Sequence, residues 1–193
     1  MKIVVIKYNA GNIGSVANAL ERLGVECEVT DDPSVIRQAD KVIFPGVGEA
    51  SSTMKYLKES KLDKIIPDLK QPVLGICLGM QLMCQWSEEG NTQAMGIFPQ
   101  KVELFRGSVK VPHMGWNSIS FNQDSLFKGI ESGSYVYFVH SYFVETGEST
   151  LASCDYGVRF SAALHRDNFY AVQFHPEKSG EIGQYILKNF IEL

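Results

Sequence analysis

The feature that most constrains the fold of this chain is a short apolar run, residues 72–81, which reads PVLGICLGMQ and sets a cysteine between two glycines. This pattern predicts a buried strand that turns sharply into a helix, because glycine lets backbone segments approach where a Cβ atom would clash. Cys77 would lie at that turn, in the strained and exposed position of a nucleophile elbow. The N-terminus of the following helix would face its sulfur and favour the thiolate form. The alternative interpretation is a buried structural cysteine.

A second polar motif follows a strand-like run near the other end of the chain, where residues 170–177 read YAVQFHPE. His175 and Glu177 are two positions apart, so in an extended chain both side chains leave on the same side. The Glu177 carboxylate then reaches one imidazole nitrogen while the other nitrogen faces outward. The sequence therefore predicts a catalytic triad of Cys77, His175 and Glu177, in which His175 moves the proton and Glu177 orients the ring. Standing alone, the motif also fits a strand end with a capping histidine and a solvated glutamate.

Length and composition limit the number of domains and the classes of partner. With 193 residues, of which 45% are hydrophobic, we expect one domain, 1–193, around a single core. The formal net charge of −4 and the scattered basic residues argue against binding to nucleic acid. No apolar stretch is long enough for a signal peptide or a membrane span, so we expect a cytoplasmic protein without membrane association.

The four cysteines lie far apart and suggest no shared structural role. They form no C-x-x-C pair and have no histidine at ligand spacing. Neither a disulfide framework nor a zinc site is indicated. We therefore expect no metal and no other cofactor.

The order of predicted elements indicates an α/β fold. Within residues 2–44, three strand-like runs alternate with helical patterns, the first helix having Asn12 as its N-cap and Gly24 as its stop. Such alternation is typical of a doubly wound, mostly parallel sheet flanked by helices. Residues 100–164 alternate in hydrophobicity with few helical patterns, so we expect antiparallel strands added to this sheet in the C-terminal half. A final helix is predicted to begin after Ser179 as its N-cap.

A glycine-rich loop, PGVG at residues 45–48, follows the third predicted strand. Ligands in open α/β sheets bind beyond the carboxyl ends of the strands, which places this loop near Cys77. The backbone N–H groups of Val47 and Gly48, together with that of Leu78, are candidates for an oxyanion hole. A plain strand-to-helix turn is the alternative. The loop does not complete the G-x-G-x-x-G pattern of a dinucleotide site.

These motifs together resemble a known family, the triad-type (class I) glutamine amidotransferases. The motifs that carry this resemblance are GICLGMQL at 75–82, HPE at 175–177 and PGVG at 45–48. Further segments resemble one branch of the family, the glutaminase subunits of imidazole glycerol phosphate synthase: YNAGN at 8–12, PHMGWN at 112–117 and VHSY at 139–142. The resemblance implies a class I amidotransferase-like fold and hydrolysis of L-glutamine to glutamate and ammonia through a thioester on Cys77. It also implies delivery of the ammonia to a separate cyclase subunit, in a heterodimer of histidine biosynthesis.

The resemblance implies a set of substrate contacts as well. They are Gly48, Gln81, Glu89, Ser141 and Tyr142. Gln81 lies one helical turn beyond Cys77 and therefore faces the same pocket. Glu89 would meet the substrate ammonium, although it adjoins Glu88 in a loop that also fits a merely solvated acidic segment.

Contacts with the partner subunit are implied at Asn12, Trp116 and Lys178, for which ordinary surface roles are the alternative. The opening KYN at residues 7–9 departs from the Asp-Tyr-Gly type of sequence familiar in the family, which puts the contacts of that loop in doubt. Two other functions remain open at this point. The chain would also fit a glutaminase subunit of another synthase, in surface-sugar or pyridoxal phosphate synthesis, or a catalytically silent regulatory subunit.

Overall fold

The computed structural model of the protein describes residues 1–8, 12–122 and 124–193. The α-helices in these residues are α1 Ile13–Arg22, α2 Pro33–Arg37, α3 Ala50–Glu59, α4 Leu62–Asp68, α5 Leu78–Met83 and α6 Gly180–Glu192. Short 3-10 helices are formed by Glu89–Asn91, Ser125–Phe127 and Pro176–Lys178. The strands are β1 Ile3–Ile6, β2 Cys27–Thr30, β3 Lys41–Phe44, β4 Val73–Ile76, β5 Trp86–Ser87, β6 Thr92–Gln93, β7 Lys101–Leu104, β8 His113–Ser118, β9 Ser120–Phe121, β10 Tyr135–His140, β11 Tyr142–Val144, β12 Thr150–Tyr156, β13 Val158–Arg166 and β14 Phe169–Val172.

One large mixed sheet organises the fold. Its first half, in the order β2-β1-β3-β4-β14, is entirely parallel. It continues through β13, β11 and β7, which pair antiparallel, to the short strands β5 and β6, and β12 and β9 extend it from β13. The predicted fold class, a mostly parallel sheet with antiparallel strands added in the C-terminal half, is confirmed.

Helices cover both faces of the parallel half, as the alternation of side chains along β1 requires. Ile3 and Val5 point to one face, where they join a buried cluster with residues of α1 and α6. Val4 and Ile6 point to the other face, where they join residues of α2, α3 and α4. Because both faces are covered, β1 is buried along its whole length. Its continuous apolar run is typical of a central parallel strand.

Strand β10 differs from the prediction that the strands of residues 100–164 join the main sheet. It pairs antiparallel with β8 in a separate two-stranded ribbon. The other side of β10 is occupied by the segment after β14. The carbonyl of Tyr137 accepts from the N–H of His175 at 2.9 Å, and the Tyr137 N–H donates to Ser179 Oγ at 2.9 Å. The ribbon is therefore tied to the predicted triad segment instead of to a sheet edge.

The carboxyl ends of three neighbouring parallel strands meet at one edge of the sheet. Residues 45–48 follow β3, Cys77 follows β4, and His175 lies shortly after β14. Since β4 pairs with both β3 and β14, the three segments are brought together by backbone hydrogen bonding alone. The longest helix in the described ranges, α6, has 13 residues, and none of these helices combines the length and apolar character needed to cross a membrane.

Candidate active site

Cys77 lies at a tight turn between β4 and α5. Its φ of 53° and ψ of −109° are strained for a residue with a side chain, as expected for a nucleophile elbow. The flanking glycine at position 79 is required by space, because a Cβ atom there would lie 2.0 Å from the carbonyl oxygen of Phe44. The helix therefore begins in direct contact with the end of β3. Cys77 itself is 7% exposed, at the bottom of a pocket.

His175 and Glu177 form a buried pair beside Cys77. The Nδ1 atom of His175 lies 2.7 Å from Glu177 Oε1. Glu177 is in the 3-10 helix Pro176–Lys178, so the extended geometry predicted for this pair is wrong, although the contact it was expected to make is present. Both side chains are almost completely buried. Glu177 therefore fixes the orientation of the imidazole ring from within the protein.

The pKa of His175 reflects this environment. Burial disfavours the imidazolium, but interactions with Cys77 and Glu177 outweigh it and raise the pKa of His175 to about 10. His175 Nε2 is buried and has no hydrogen-bond partner of normal geometry among the described residues. It is thus available to exchange a proton with Cys77, whose sulfur also lies 3.9 Å from the carbonyl oxygen of Val139.

Asn12 joins the same cluster in a way that the sequence does not predict. Helix α1 begins after it, as expected, but its side chain makes no capping hydrogen bond. Asn12 instead donates from Nδ2 to Glu177 Oε1, and that nitrogen lies 3.4 Å from His175 Nδ1. Its backbone has a left-handed φ of 78°, unlike the extended geometry usual at an N-cap. The predicted contacts of residues 9–11 lie outside the described residues.

A pocket of about 330 Å³ opens in front of Cys77. Its walls include all the residues predicted to contact glutamine or its oxyanion: Val47, Gly48, Leu78, Gln81, Glu89, Ser141 and Tyr142. His175 and Lys178 line it as well. Across ranges 1–8, 12–122 and 124–193, no group of three or more His, Cys, Asp or Glu side chains is arranged to hold a metal ion.

Of the two adjacent glutamates, the structure directs Glu89 toward the pocket. One Glu89 carboxylate oxygen accepts from the Ala50 N–H at 2.8 Å. Burial raises the pKa of Glu89 above its ordinary value, against the effect of that hydrogen bond. Glu88 is instead paired with Arg106 and accepts from the Leu104 N–H at 2.8 Å. The arrangement leaves Glu89 as the acidic group at the pocket wall.

The loop at residues 45–48 is held by hydrogen bonds that bear on the predicted oxyanion hole. The N–H of Leu78 donates to the carbonyl of Gly46 at 3.3 Å. The hydroxyl of Tyr8, which is buried, donates to the carbonyl of Pro45 at 2.6 Å. Burial raises the pKa of Tyr8, and the electrostatic effect of Cys77 raises it further. The backbone N–H of Val47 acts in the opposite direction, as a hydrogen-bond donor to the Tyr8 oxygen. One predicted oxyanion donor, Leu78, is therefore engaged by the protein itself.

Of the three predicted partner contacts, only Lys178 is a wall residue of the pocket. Trp116 is 54% exposed on β8, with its ring 6.0 Å from that of Tyr137. Other large exposed apolar side chains of this part of the chain are Val111, Met114 and Tyr135. The contact of Trp116, Lys178 and Asn12 with a partner stays a prediction.

Sequence reasoning missed several residues of the site. Pro112, Val139 and His140 line the pocket, and no role in it was predicted for them. Gln173 is completely buried, with its side chain against Cys77. A signal for it was present, since a glutamine is out of place in the apolar run before His175.

Comparisons with known proteins bear on the whole chain. The sequence profile of the family "Glutamine amidotransferase class-I" matches residues 4–193. The chain is 62% identical to imidazole glycerol phosphate synthase subunit HisH of Bacteroides fragilis strain YCH46, and 56% identical to the HisH subunit of Bacteroides thetaiotaomicron, covering 100% of both chains in each case. The structure of PurLQS from Thermotoga maritima has a similar fold, with a TM-score of 0.73 at 17% identity over 99% of this chain and 97% of that one.

Proposed function

We propose that this chain, which belongs to the class-I glutamine amidotransferase family, is the glutaminase subunit of an imidazole glycerol phosphate synthase of histidine biosynthesis. In this proposal, residues 1–193 form one amidotransferase domain that hydrolyses L-glutamine and supplies ammonia to a separate cyclase subunit. The observation that carries it is the meeting of the Cys77 elbow with the His175–Glu177 pair, at the ends of adjacent parallel strands and in front of a pocket. The chain is 62% and 56% identical to two HisH subunits over its full length, which supports the assignment to histidine biosynthesis.

The chemistry follows from the roles of three side chains. Cys77, as a thiolate, attacks the side-chain amide carbon of glutamine, and the carbonyl oxygen takes the negative charge. His175, having received the thiol proton, gives it to the departing nitrogen, so ammonia leaves and a thioester remains. Water then attacks the thioester while His175 takes its proton, and the return of that proton to sulfur releases glutamate. Glu177 holds the imidazole ring and stabilises its charged form throughout.

We expect the ammonia to be used at an acceptor site on a separate subunit. A HisH relative is named as a subunit of a synthase, and we expect the same arrangement here, with a cyclase subunit as the partner in a heterodimer. Lys178 lines the pocket, and the exposed Trp116 ring lies 3.9 Å from where a Cβ on Gly180 would be, two residues along the chain, which supports contact with the partner at this face. We propose that the complex is cytoplasmic, in keeping with four free cysteines, since thiols stay reduced in that compartment.

The state of the oxyanion loop supports control of the glutaminase by its partner. With the Leu78 N–H bonded to the Gly46 carbonyl, one donor is not directed to a substrate oxyanion. Gly48 has a φ of 120°, a conformation open to glycine, so the loop contains a residue able to reorient its peptide bonds. We therefore expect the isolated chain to be in a state of low activity. Binding of the partner would favour another arrangement of the loop.

Replacement of Cys77 by alanine tests the proposed chemistry. In complex with the cyclase subunit, Cys77→Ala is expected to abolish synthesis that depends on glutamine while leaving synthesis from added ammonium intact, because only ammonia release needs the thiolate. The two activities are measured by product formation with each nitrogen source. Cys27→Ala is the matched control, since Cys27 lies in β2, away from the pocket, and should keep both activities. Equal loss of both activities in Cys77→Ala would contradict the assignment.

A further inference from the structure

A buried carboxamide lies against the candidate nucleophile. Gln173 follows β14, two residues before His175, and none of its surface is exposed. Its Nε2 atom is 3.7 Å from Cys77 Sγ, within the longer range of hydrogen bonds to sulfur. The Cys77 sulfur therefore has two neighbours: the Val139 carbonyl, which can accept the thiol hydrogen, and the Gln173 NH₂ group, which can donate to the sulfur. A glutamine in this position needs an explanation, because a buried amide is costly unless it is hydrogen-bonded.

The direction of the Gln173 amide is fixed by its neighbours. A side-chain nitrogen of Gln81 donates to the carbonyl of Tyr142 at 2.9 Å, and a carbonyl can only accept. The same nitrogen donates to Gln173 Oε1 at 3.0 Å. With its oxygen used in this way, Gln173 can present only its NH₂ group to the sulfur. Turning both amides over would place an oxygen of Gln81 against the Tyr142 carbonyl, so the network allows one orientation.

We propose that Gln173 is a further catalytic residue, which donates a hydrogen bond to the Cys77 sulfur and stabilises its thiolate, and that Gln81 positions it. When His175 takes the thiol proton, the Val139 carbonyl loses its donor, whereas the Gln173 N–H faces a full negative charge. Hydrogen bonds to charged acceptors are stronger than neutral ones, and burial strengthens them further. The role of Gln173 rests on the proposed function, because it assumes that Cys77 is the nucleophile.

The two hydrogen bonds of Gln81 give it a positioning role in addition to the predicted contact with glutamine. Gln81 is 4% exposed, and its side-chain nitrogen already has two acceptors. The predicted contact of Gln81 with glutamine would therefore use another atom. The hydrogen bonds thus form a series from the carbonyl of Tyr142, a residue of the pocket wall, through Gln81 and Gln173 to the Cys77 sulfur. We expect Gln81 to act on the sulfur only through Gln173.

The test uses Gln173→Met, which keeps the side-chain length and removes the N–H donor. In the complete complex, the rate of Cys77 alkylation by iodoacetamide near neutral pH is measured on the Cys77 peptide by mass spectrometry, beside kcat and KM for glutamine. We expect the alkylation rate and kcat to fall together by about ten- to a hundredfold. This factor corresponds to the free energy of one hydrogen bond to a charged group. KM should stay near its original value, since Gln173 does not line the pocket.

Controls separate this role from a structural one. Gln100 is another buried glutamine, and its side chain has no hydrogen-bond partner among the described residues, so Gln100→Met should leave alkylation and kcat unchanged. Gln81→Met should slow alkylation less than Gln173→Met does. The double variant should be no slower than Gln173→Met alone, because both changes act on one hydrogen bond.

Wild-type alkylation in Gln173→Met, whatever happens to kcat, would overturn the role of Gln173. If that variant does not fold, Gln173→Glu keeps the acceptor for Gln81 and places an acidic oxygen toward the sulfur, so it is expected to alkylate more slowly still. An unchanged rate there would also overturn the proposal. Absence of glutaminase activity in the wild-type complex would instead refute the proposed function, and the alkylation rates would still report on the hydrogen bond.

Discussion

Tyr8 shows how a single hydroxyl group bears on the state of the oxyanion loop. It is the residue of the KYN opening that matches the Asp-Tyr-Gly type of sequence, between the departing Lys7 and Asn9, and its hydroxyl donates to the carbonyl of Pro45. A Cβ atom on Gly46 would lie only 2.7 Å from the Tyr8 oxygen, so the ring packs closely on the loop. Gly46 is also the residue whose carbonyl engages the Leu78 N–H. Tyr8 therefore stabilises the arrangement in which that donor is occupied.

Loss of the Tyr8 hydroxyl should raise the activity of the isolated chain. Tyr8→Phe keeps the ring against Phe44 and removes one hydrogen bond, worth about 1 kcal/mol, so glutamate release without a partner should increase about fivefold. The measurement is steady-state glutamate production by the purified chain. Tyr56→Phe is the control, because it removes an exposed hydroxyl that bonds Asp31 on another part of the surface. Unchanged or lower activity in Tyr8→Phe would contradict this function of the hydroxyl.

At the scale of elements, the junction of β3, β4 and α5 explains why glycine is needed around Cys77. The start of α5 touches the end of β3 so closely that Gly79 meets the Phe44 carbonyl directly. On the other side of Cys77, a Cβ on Gly75 would lie 2.5 Å from the sulfur of Met83. The elbow is therefore held by packing from both of its flanks. The strained backbone conformation of Cys77 persists because the surrounding elements leave no space for a different backbone conformation.

Gly79→Ala should therefore destabilise the protein and impair the site. The added methyl group must push α5 from β3, and overpacking of this kind costs about 1–3 kcal/mol or more in unfolding free energy. Urea denaturation measures the change, and glutaminase activity in the complex should fall with it. Gly14→Ala is the matched control. Gly14 lies in helix α1 with no atom within 4 Å of an added Cβ, so that change should stabilise the chain by about 0.5–1 kcal/mol. Equal effects of the two substitutions would contradict the packing argument.

At the scale of the whole molecule, the site is predicted to work only in an assembly. Isolated chain, complex, and complex with acceptor ligand should release glutamate at increasing rates, since recovery of one oxyanion donor accelerates such a reaction about a hundred- to a thousandfold. The three rates are measured with the same glutamine concentration. Full activity in the isolated chain would refute control by the partner and leave the triad chemistry standing.

The sequence predicted the parts of the fold and site that depend on local pattern. The apolar run with glycines around Cys77 indicated the strand, the turn and the helix, because each is specified within ten residues. The pairing of Gln173 with Cys77 joins residues 96 positions apart, and no local rule indicates which way a buried amide turns. Asn12 is the N-cap residue of α1, as predicted, but its side chain makes no capping hydrogen bond and donates instead to the carboxylate of Glu177, which comes from the far end of the chain.

The order of strands in the sheet has a consequence for how the protein is made. Strand β14 inserts beside β4 in the middle of the sheet, yet it is synthesised after all the other described strands of that sheet. A growing chain therefore exposes Cys77 long before the segment that carries His175 and Glu177 has been synthesised. During that interval the thiol has neither its base nor the complete pocket wall. During synthesis, Cys77 is therefore present well before the candidate site can be complete.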